Sequence, residues 1–356
     1  MRASLASCPA AVGGPIFIIG PMGSGTTLLR LMLDSHPHIA IPPETGFMRA
    51  YKAHRFVPFK ITGRGWARRL GWSDDELDGL LRDLYDTLFM RYAEQHGKRR
   101  WGEKTPLHTW HIDAMARLFP DARFVGIVRH PGGVVSSNMR RWKHPQVKAM
   151  RHYDRYAREL ARQAARRPKR FAVLRYEDLV LQPEPVMREL LEWLGEPWAD
   201  EVLAHDEVQA SRGGRRVVEG RTVVDDPIDV SRIAKWAQRL DARERQRLDE
   251  RLGRLGAFFG YRIDDPSVLE PIAGEGRIVA TGADLRARTE AFADLDLKTR
   301  PTPPVYDELY NPTKLMVIPV ERFRRLREQA RPAPPQPLWR IAGARAKRRA
   351  RRLLRR

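Results

Sequence analysis

Eight residues, Gly20-Pro21-Met22-Gly23-Ser24-Gly25-Thr26-Thr27, carry the G-x-x-x-x-G spacing of a phosphate-binding loop. Such a loop turns successive backbone N–H groups toward one point, and the positive end of the following helix adds to them, so an anion belongs there. Thr26 stands where a nucleoside-triphosphate enzyme has the lysine that reaches the β- and γ-phosphates, which counts against γ-phosphate transfer. A second anion-binding set lies in GIVRHPGGVVSSNMRR. There Arg129 closes an apolar run, Ser137 follows eight residues later and Arg141 twelve, the last two one helical turn apart. A guanidinium fork together with a hydroxyl on the next helix suits a phosphate group. Two anion sites on neighbouring strands point to a bisphosphorylated nucleotide. No Cys/His cluster has metal-ligand spacing.

The elements that must position these residues are legible from periodicity. Residues 15–20 (PIFIIG) form a short, wholly apolar, β-branched run, and the helical pattern of Leu28, Leu29, Leu31, Met32 and Leu33 follows at once. Further strands are expected at Ile39–Ile41, 123–128 (RFVGIV) and 170–175 (RFAVLR). Helices are expected at 74–95, opened by a Ser73/Glu76 capping box, and at 108–118, 132–142, 149–167, 184–194, 230–239 and 241–256. Strands alternating with helices predict an α/β chain with a P-loop-type three-layer fold, a parallel sheet flanked by helices. Prolines accumulate after Asp264-Asp265-Pro266. The expected division is therefore a flexible N-terminus (1–14), the main domain (15–264), an extension with one short helix near 319–330 and a proline-rich linker (265–337), and an irregular basic tail (338–356).

The run from Pro21 to Thr27, continued by LLRLMLDSHPHIAIPPET, resembles the 5′-phosphosulfate-binding region of sulfotransferases that use 3′-phosphoadenosine 5′-phosphosulfate (PAPS). Arg129 to Ser137 is similar to their 3′-phosphate-binding region. The tyrosylprotein-sulfotransferase-like branch and its bacterial relatives are matched in SGTTLLRLMLDSHP, in Glu44-Thr45 and in RYEDLVLQPEPVMRELLEWLGEPW, over about residues 15–260. The resemblance implies that Gly23 and the backbone and hydroxyls of Ser24, Gly25, Thr26 and Thr27 hold the 5′-phosphosulfate. It implies Arg129, Ser137 and Arg141 for the 3′-phosphate, Tyr176 on the adenosine side, and Lys235 in SRIAKW closing over the nucleotide. Glu44, seventeen residues after Thr27, is implied as the general base, its carboxyl raised by partial burial, and Lys104 in WGEKTP as the stabiliser of the leaving oxygen. His108 and His111 are the rival bases, and Glu44 is preferred to His108. One departure is Gly23, at a position where the family commonly has Lys or Arg. PAPS is then the donor cosubstrate, and the chemistry needs no metal.

The whole chain has 356 residues, 42% of them apolar, and a net charge of +21, of which nine positive charges fall in 338–356 and leave +12 before it. This composition excludes disorder throughout and points to polyanionic or phosphate-bearing partners. The single Cys8 excludes an intramolecular disulfide framework, and no run reaches the roughly 18 apolar residues of a membrane span. A cytoplasmic chain is expected, held peripherally at an anionic membrane face if Trp339, Ile341, Leu353 and Leu354 among the tail's arginines insert there. The expected acceptor is a carbohydrate, lipid-linked or small-molecule hydroxyl rather than a peptide tyrosine. Nucleic acid is not expected as substrate, and assembly as a homodimer stays open. Two other readings stay open: a P-loop nucleotide kinase, against which Thr26 speaks, and a basic membrane-surface or nucleic-acid binding protein, which leaves Arg129, Ser137 and Glu44 without purpose.

Overall fold

The computed structural model describes residues 13–302, apart from 57–63, 212–216, 219–220, 223–227, 266, 268 and 275. Strand β1 (Ile16–Ile19) runs into the glycine loop and helix α1 (Thr26–Ser35), and β2 (Ile39–Ala40) follows. Three helices come next, α2 (Phe47–Phe56), α3 (Arg64–Arg69) and the long α4 (Asp74–Gln95). Ser73 caps α4, accepting from the Glu76 N–H while Glu76 accepts from the Ser73 N–H, which is the capping box read in the sequence. The chain continues through β3 (Arg100–Lys104), a 3-10 turn at Pro106–His111, α5 (Ile112–Leu118), β4 (Arg123–Val128), α6 (Pro131–Trp142), α7 (Gln146–Arg166) and β5 (Phe171–Arg175). Helices α8 (Tyr176–Leu181), α9 (Pro183–Leu194) and α10 (His205–Ser211), the small hairpin of β6 (Val217–Val218) and β7 (Arg221–Thr222), and α11 (Ala242–Phe258) lead to β8 (Ala280–Thr281) and α12 (Gly282–Ala291).

Among the described residues the main sheet has the order β2-β3-β1-β4-β5-β8. All neighbours are parallel except β5 and β8, where Val173 pairs antiparallel with Ala280. The strands are apolar on both sides because both faces are covered. Phe17, Ile19, Trp101, Phe124, Phe171 and Val173 face α4–α7 and α11, and Ile16, Ile18, Val125, Ile127, Ala172 and Leu174 face α1, α8 and α9. Since β1 to β5 are parallel, the segments that leave them all emerge at one edge, the carboxyl end where such sheets bind ligands. The sheet thereby gathers the glycine loop after β1, Glu44 after β2, Lys104 at the end of β3, Arg129 after β4 and Tyr176 after β5.

Three expectations change. The WGEK part of WGEKTP lies in a strand, which the alternation rule missed because Arg100, Glu103 and Lys104 are charged and nonetheless buried. Residues 230–239 form a 3-10 turn at Val230–Arg232 and then successive turns, in place of a regular helix, with Trp236 stacked on His130 at 4.4 Å between ring centroids. The main domain does not end at 264. Tyr261 bridges to Leu269, β8 adds a strand to the sheet, and Val279, Ala280, Leu285, Leu295 and Leu297 are buried. The short helix near 319–330, the proline-rich linker, Cys8 and the basic tail lie outside the described residues.

Candidate active site

The glycine loop is built against β4. The Ser24 side chain is fully buried, and its hydroxyl donates to Pro21 O at 2.7 Å or Ile127 O at 3.0 Å, while its N–H donates to Pro21 O at 3.1 Å. Ser24 therefore fastens the loop to the scaffold, and its hydroxyl is not turned outward as the sequence reading had it. The outward donors are those at the start of α1: Gly25, Thr26 and Thr27 precede the first intrahelical bond, from Leu29 N–H to Gly25 O at 3.1 Å. Gly25 has φ +99° and lies so close to Tyr176 that an added Cβ would meet the ring at 2.4 Å. Gly25→Ala is accordingly expected to cost about 1–3 kcal/mol in a denaturant melt, from backbone strain and displacement of Tyr176. Gly23, at φ +96°, lies where an added Cβ would be 3.5 Å from the Ser137 hydroxyl. The loop geometry thus disfavours the basic side chain expected from the family at this position.

Arg129 is half-buried and joins three elements. Its guanidinium lies 4.3 Å from the centroid of the Tyr176 ring, donates to Arg232 O at 2.7 Å and reaches Gly23 O at 3.3 Å. Its Nε is buried without an acceptor among the described residues. Ser137 and Arg141 follow on α6. Ser137 is beside the loop, and Arg141 is exposed with its guanidinium 5.2 Å from the Trp142 ring centroid. Lys235 pairs with Asp229 at 3.6 Å in the segment that Trp236 anchors. Behind Arg129, Glu177 is buried and accepts from the His130 N–H at 3.1 Å and the Tyr261 hydroxyl at 2.7 Å. Burial pushes the Glu177 carboxyl up, against the pull of Arg129. His130 is no simple loop residue. Its Nδ1 caps α6 by accepting from Gly132 N–H, and burial pushes its ring down to about 4, so it is neutral near pH 7.

Lys104 ends β3 in register with Ile18 of β1, next to the glycine loop. Its side chain is 4% exposed and donates to the Glu44 carboxylate, which is 52% exposed. Burial pushes the Lys104 ammonium below the usual lysine range, while Glu44 pulls it back up. The Glu44 carboxylate is thus half-buried, at the open side of the site, with Lys104 as its partner. Arg30, buried on α1, adds a further positive charge close to Lys104 and bonds Ile41 O at 2.9 Å. The rival base His108 is buried, with Nδ1 2.7 Å from Glu103 Oε2, off the line of a good hydrogen bond, and Nε2 without a partner among the described residues. His111 is buried too, and burial pushes it well below the usual histidine range. Glu103, Arg30 and Glu177 went unread in the sequence. Each has at least one partner that is distant along the chain, Thr45 for Glu103, Ile41 O for Arg30 and Tyr261 for Glu177, and only the acidic pair in RYEDL hinted at one of them.

His36, His38 and Glu196 bring donor atoms within 4.8 Å of one another. His36 Nδ1 accepts from His38 N–H at 3.1 Å, which leaves Nε2 to donate to Pro197 O at 2.9 Å. With both ring nitrogens spent on backbone, the trio is a structural link to the Glu196 loop.

A parallel sheet that gathers a lysine-free phosphate loop after β1, an Arg after the neighbouring β4 and, on the other side of β1, a Lys–Glu pair at the end of β3 defines an anion-binding site of the P-loop type. The model of the sulfotransferase family matches residues 15–200, more than half of the chain, and the chain belongs to that family. Protein-tyrosine sulfotransferase 1 of Danio rerio is 28% identical over 237 residues, covering 63% of this chain and 66% of that protein. Nodulation protein NoeE of Sinorhizobium fredii (strain NBRC 101917 / NGR234) is 26% identical over 271 residues, covering 67% of this chain and 63% of that protein. The chain thus spans less than two thirds of the length of these curated relatives. Among solved structures, the sulfotransferase domain from the curacin biosynthetic pathway is 22% identical with a TM-score of 0.47, covering 68% of this chain and 99% of that one.

Proposed function

We propose that this protein transfers a sulfuryl group from PAPS to a hydroxyl oxygen by in-line displacement. The observation that carries the reading is the Lys104–Glu44 pair beside a phosphate loop whose lysine position is Thr26. The residues present suit a donor with two anionic ends. The N–H groups at the start of α1 with Lys104 and Arg30 suit the 5′-phosphosulfate, and Arg129, whose buried Nε awaits an acceptor, suits the 3′-phosphate with Ser137, Arg141 and Lys235. Tyr176 offers its ring to the adenosine side. In the reaction the sulfur–oxygen bond to the 5′-phosphate breaks as a bond to the acceptor oxygen forms, and the acceptor's proton passes to Glu44. Lys104 donates to the phosphate oxygen on which charge develops, a contact that strengthens as that bond breaks.

The acceptor belongs to the same proposal. Relatives named as protein-tyrosine sulfotransferases favour the phenol of a peptide tyrosine, and an exposed base suits a bulky acceptor arriving from solvent. The carbohydrate, lipid-linked or small-molecule hydroxyl expected from the sequence is the competing arm. Donor recognition is tested by thermal melts with adenosine 3′,5′-bisphosphate and with ATP–Mg²⁺. At a hundredfold excess over its Kd the bisphosphate is expected to stabilise the fold by about 2.7 kcal/mol, and ATP much less. Stabilisation by ATP alone would favour the kinase reading instead.

A further inference from the structure

Glu103 and Lys104 are consecutive on β3, so their side chains leave opposite faces of the sheet. Lys104 goes to the α1 side and meets Glu44. Glu103 goes to the α2 side, where it is 1% exposed. Its Oε1 accepts from Thr45 N–H at 3.2 Å, from the Thr45 hydroxyl at 3.0 Å and from the Thr105 hydroxyl at 2.6 Å. Glu44 and Thr45, also consecutive, therefore straddle the strand end, one held by Lys104 and the other by Glu103. Two weaker bonds extend the clamp to the start of α2: Gly46 N–H donates to the Thr105 hydroxyl at 3.3 Å, and Phe47 N–H to the Thr45 hydroxyl at 3.3 Å. His108 Nδ1 stands 2.7 Å from Oε2, against the other half of the carboxylate but off the line of a hydrogen bond.

A buried carboxylate is costly unless its lone pairs are taken. Here the donors outweigh burial, with His108 and Thr105 foremost, and hold Glu103 below the usual glutamate range. A carboxylate serving stability alone could take its donors from anywhere. The hydrogen bonds on Oε1 come from residues 45 and 105, the immediate neighbours of Glu44 and Lys104.

We infer that Glu103 is a positioning residue for the transfer: through Thr45 and Thr105 it fixes the loop that carries Glu44 on the end of β3, so that the base and Lys104 meet. The inference rests on the reading of Glu44 as base. It also separates the roles of two carboxylates: Glu44 exchanges the proton, and Glu103 aims it.

The test compares Thr45→Val, Thr45→Ser, Glu103→Gln and Glu44→Gln with wild type. Thr45 is exposed, so Thr45→Val should fold, and it carries the test if Glu103→Gln does not. The first readout is steady-state kinetics. Thr45→Val and Glu103→Gln are expected to lower kcat roughly tenfold to a hundredfold with the donor KM unchanged, and Thr45→Ser to remain near wild type, since small misplacements of a reacting group cost that much. The second readout is the titration of the Lys104 ammonium by NMR on ¹⁵N-lysine-labelled protein, its signal assigned by its loss in Lys104→Met. The charged groups facing Lys104 are Glu44 from the loop after β2, Arg30 from α1 and Glu103 beside it on β3. Of these, Arg30 is held by Ile41 O and Glu103 keeps its bond from Thr105 when the Thr45 hydroxyl is lost, whereas Glu44 lies on the loop that Thr45 fastens. Thr45→Val is therefore expected to move the Lys104 titration to lower pH, as Glu44→Gln does, and Thr45→Ser to leave it in place. An unchanged Lys104 titration in Thr45→Val overturns the inference, whatever the rate. Inactivity of the wild type toward every hydroxyl acceptor would refute the sulfuryl-transfer reading, while the titration, which needs no turnover, still decides the positioning.

Discussion

Glu44→Gln is expected to lower kcat for sulfuryl transfer by about 10²–10⁴-fold, the range that a positioned general base contributes. The expectation follows from charge and place. Glu44 is the carboxylate that reaches Lys104 at the carboxyl end of the sheet, and it is open enough to meet an incoming hydroxyl. Gln keeps the size and an oxygen that can accept from Lys104, so the loop should hold its shape while the group that takes the proton is gone. Because the carboxylate is half exposed, the change in stability should stay within about 1 kcal/mol. A rate and a melting temperature measured on the same preparation separate the two effects. The matching Gln variant of His108 should retain most of its turnover if it folds, since His108 is occupied by Glu103 below the site.

Lys104→Met is expected to separate rate from stability more sharply. Loss of a donor aimed at developing charge typically costs about 10²–10³-fold in kcat. Stability near neutral pH should be unchanged or higher, because burial already disfavours the ammonium in the fold and the group left behind, Glu44, stays hydrated. The folded Lys104 releases its proton below the usual lysine value of 10.5, so between the two values the unfolded chain binds more protons and stability rises with pH. That rise should be missing from Lys104→Met in alkaline denaturant melts. For the wild type, the alkaline fall in kcat should begin below the ordinary lysine range, as the cation on β3 is lost.

What could be read from the sequence follows from how each element is stabilised. β1, the glycine loop and α1 were legible because an apolar run buried on both faces, a glycine turn and a helical period are local signals, and the Ser73/Glu76 cap of α4 is local too. β3 was illegible because its charges are neutralised by distant groups. Arg100 bonds Gly14 O and Leu194 O and pairs with Glu196, Glu103 bonds Thr45, and Lys104 pairs with Glu44. No window of sequence contains those partners. The end of the domain was misplaced for a similar reason. β8 has two residues, too few for a pattern, and is held by pairing with β5 and by Glu189, which accepts from the N–H groups of Ile278 and Val279. Glu44 had no local mark: an acid before Gly46 and Phe47 suits a helix start better, and only its spacing after the glycine loop, read with the resemblance, set it apart. The structure adds its partner, Lys104, and the clamp beneath it.

The most direct measurement follows the label from ³⁵S-labelled PAPS in parallel reactions of wild type and Glu44→Gln with a tyrosine peptide, an oligosaccharide and a lipid-extract acceptor. The account predicts label on at least one hydroxyl acceptor with wild type and a loss of about 10²-fold or more with Glu44→Gln. Transfer by Glu44→Gln at the wild-type rate would contradict it.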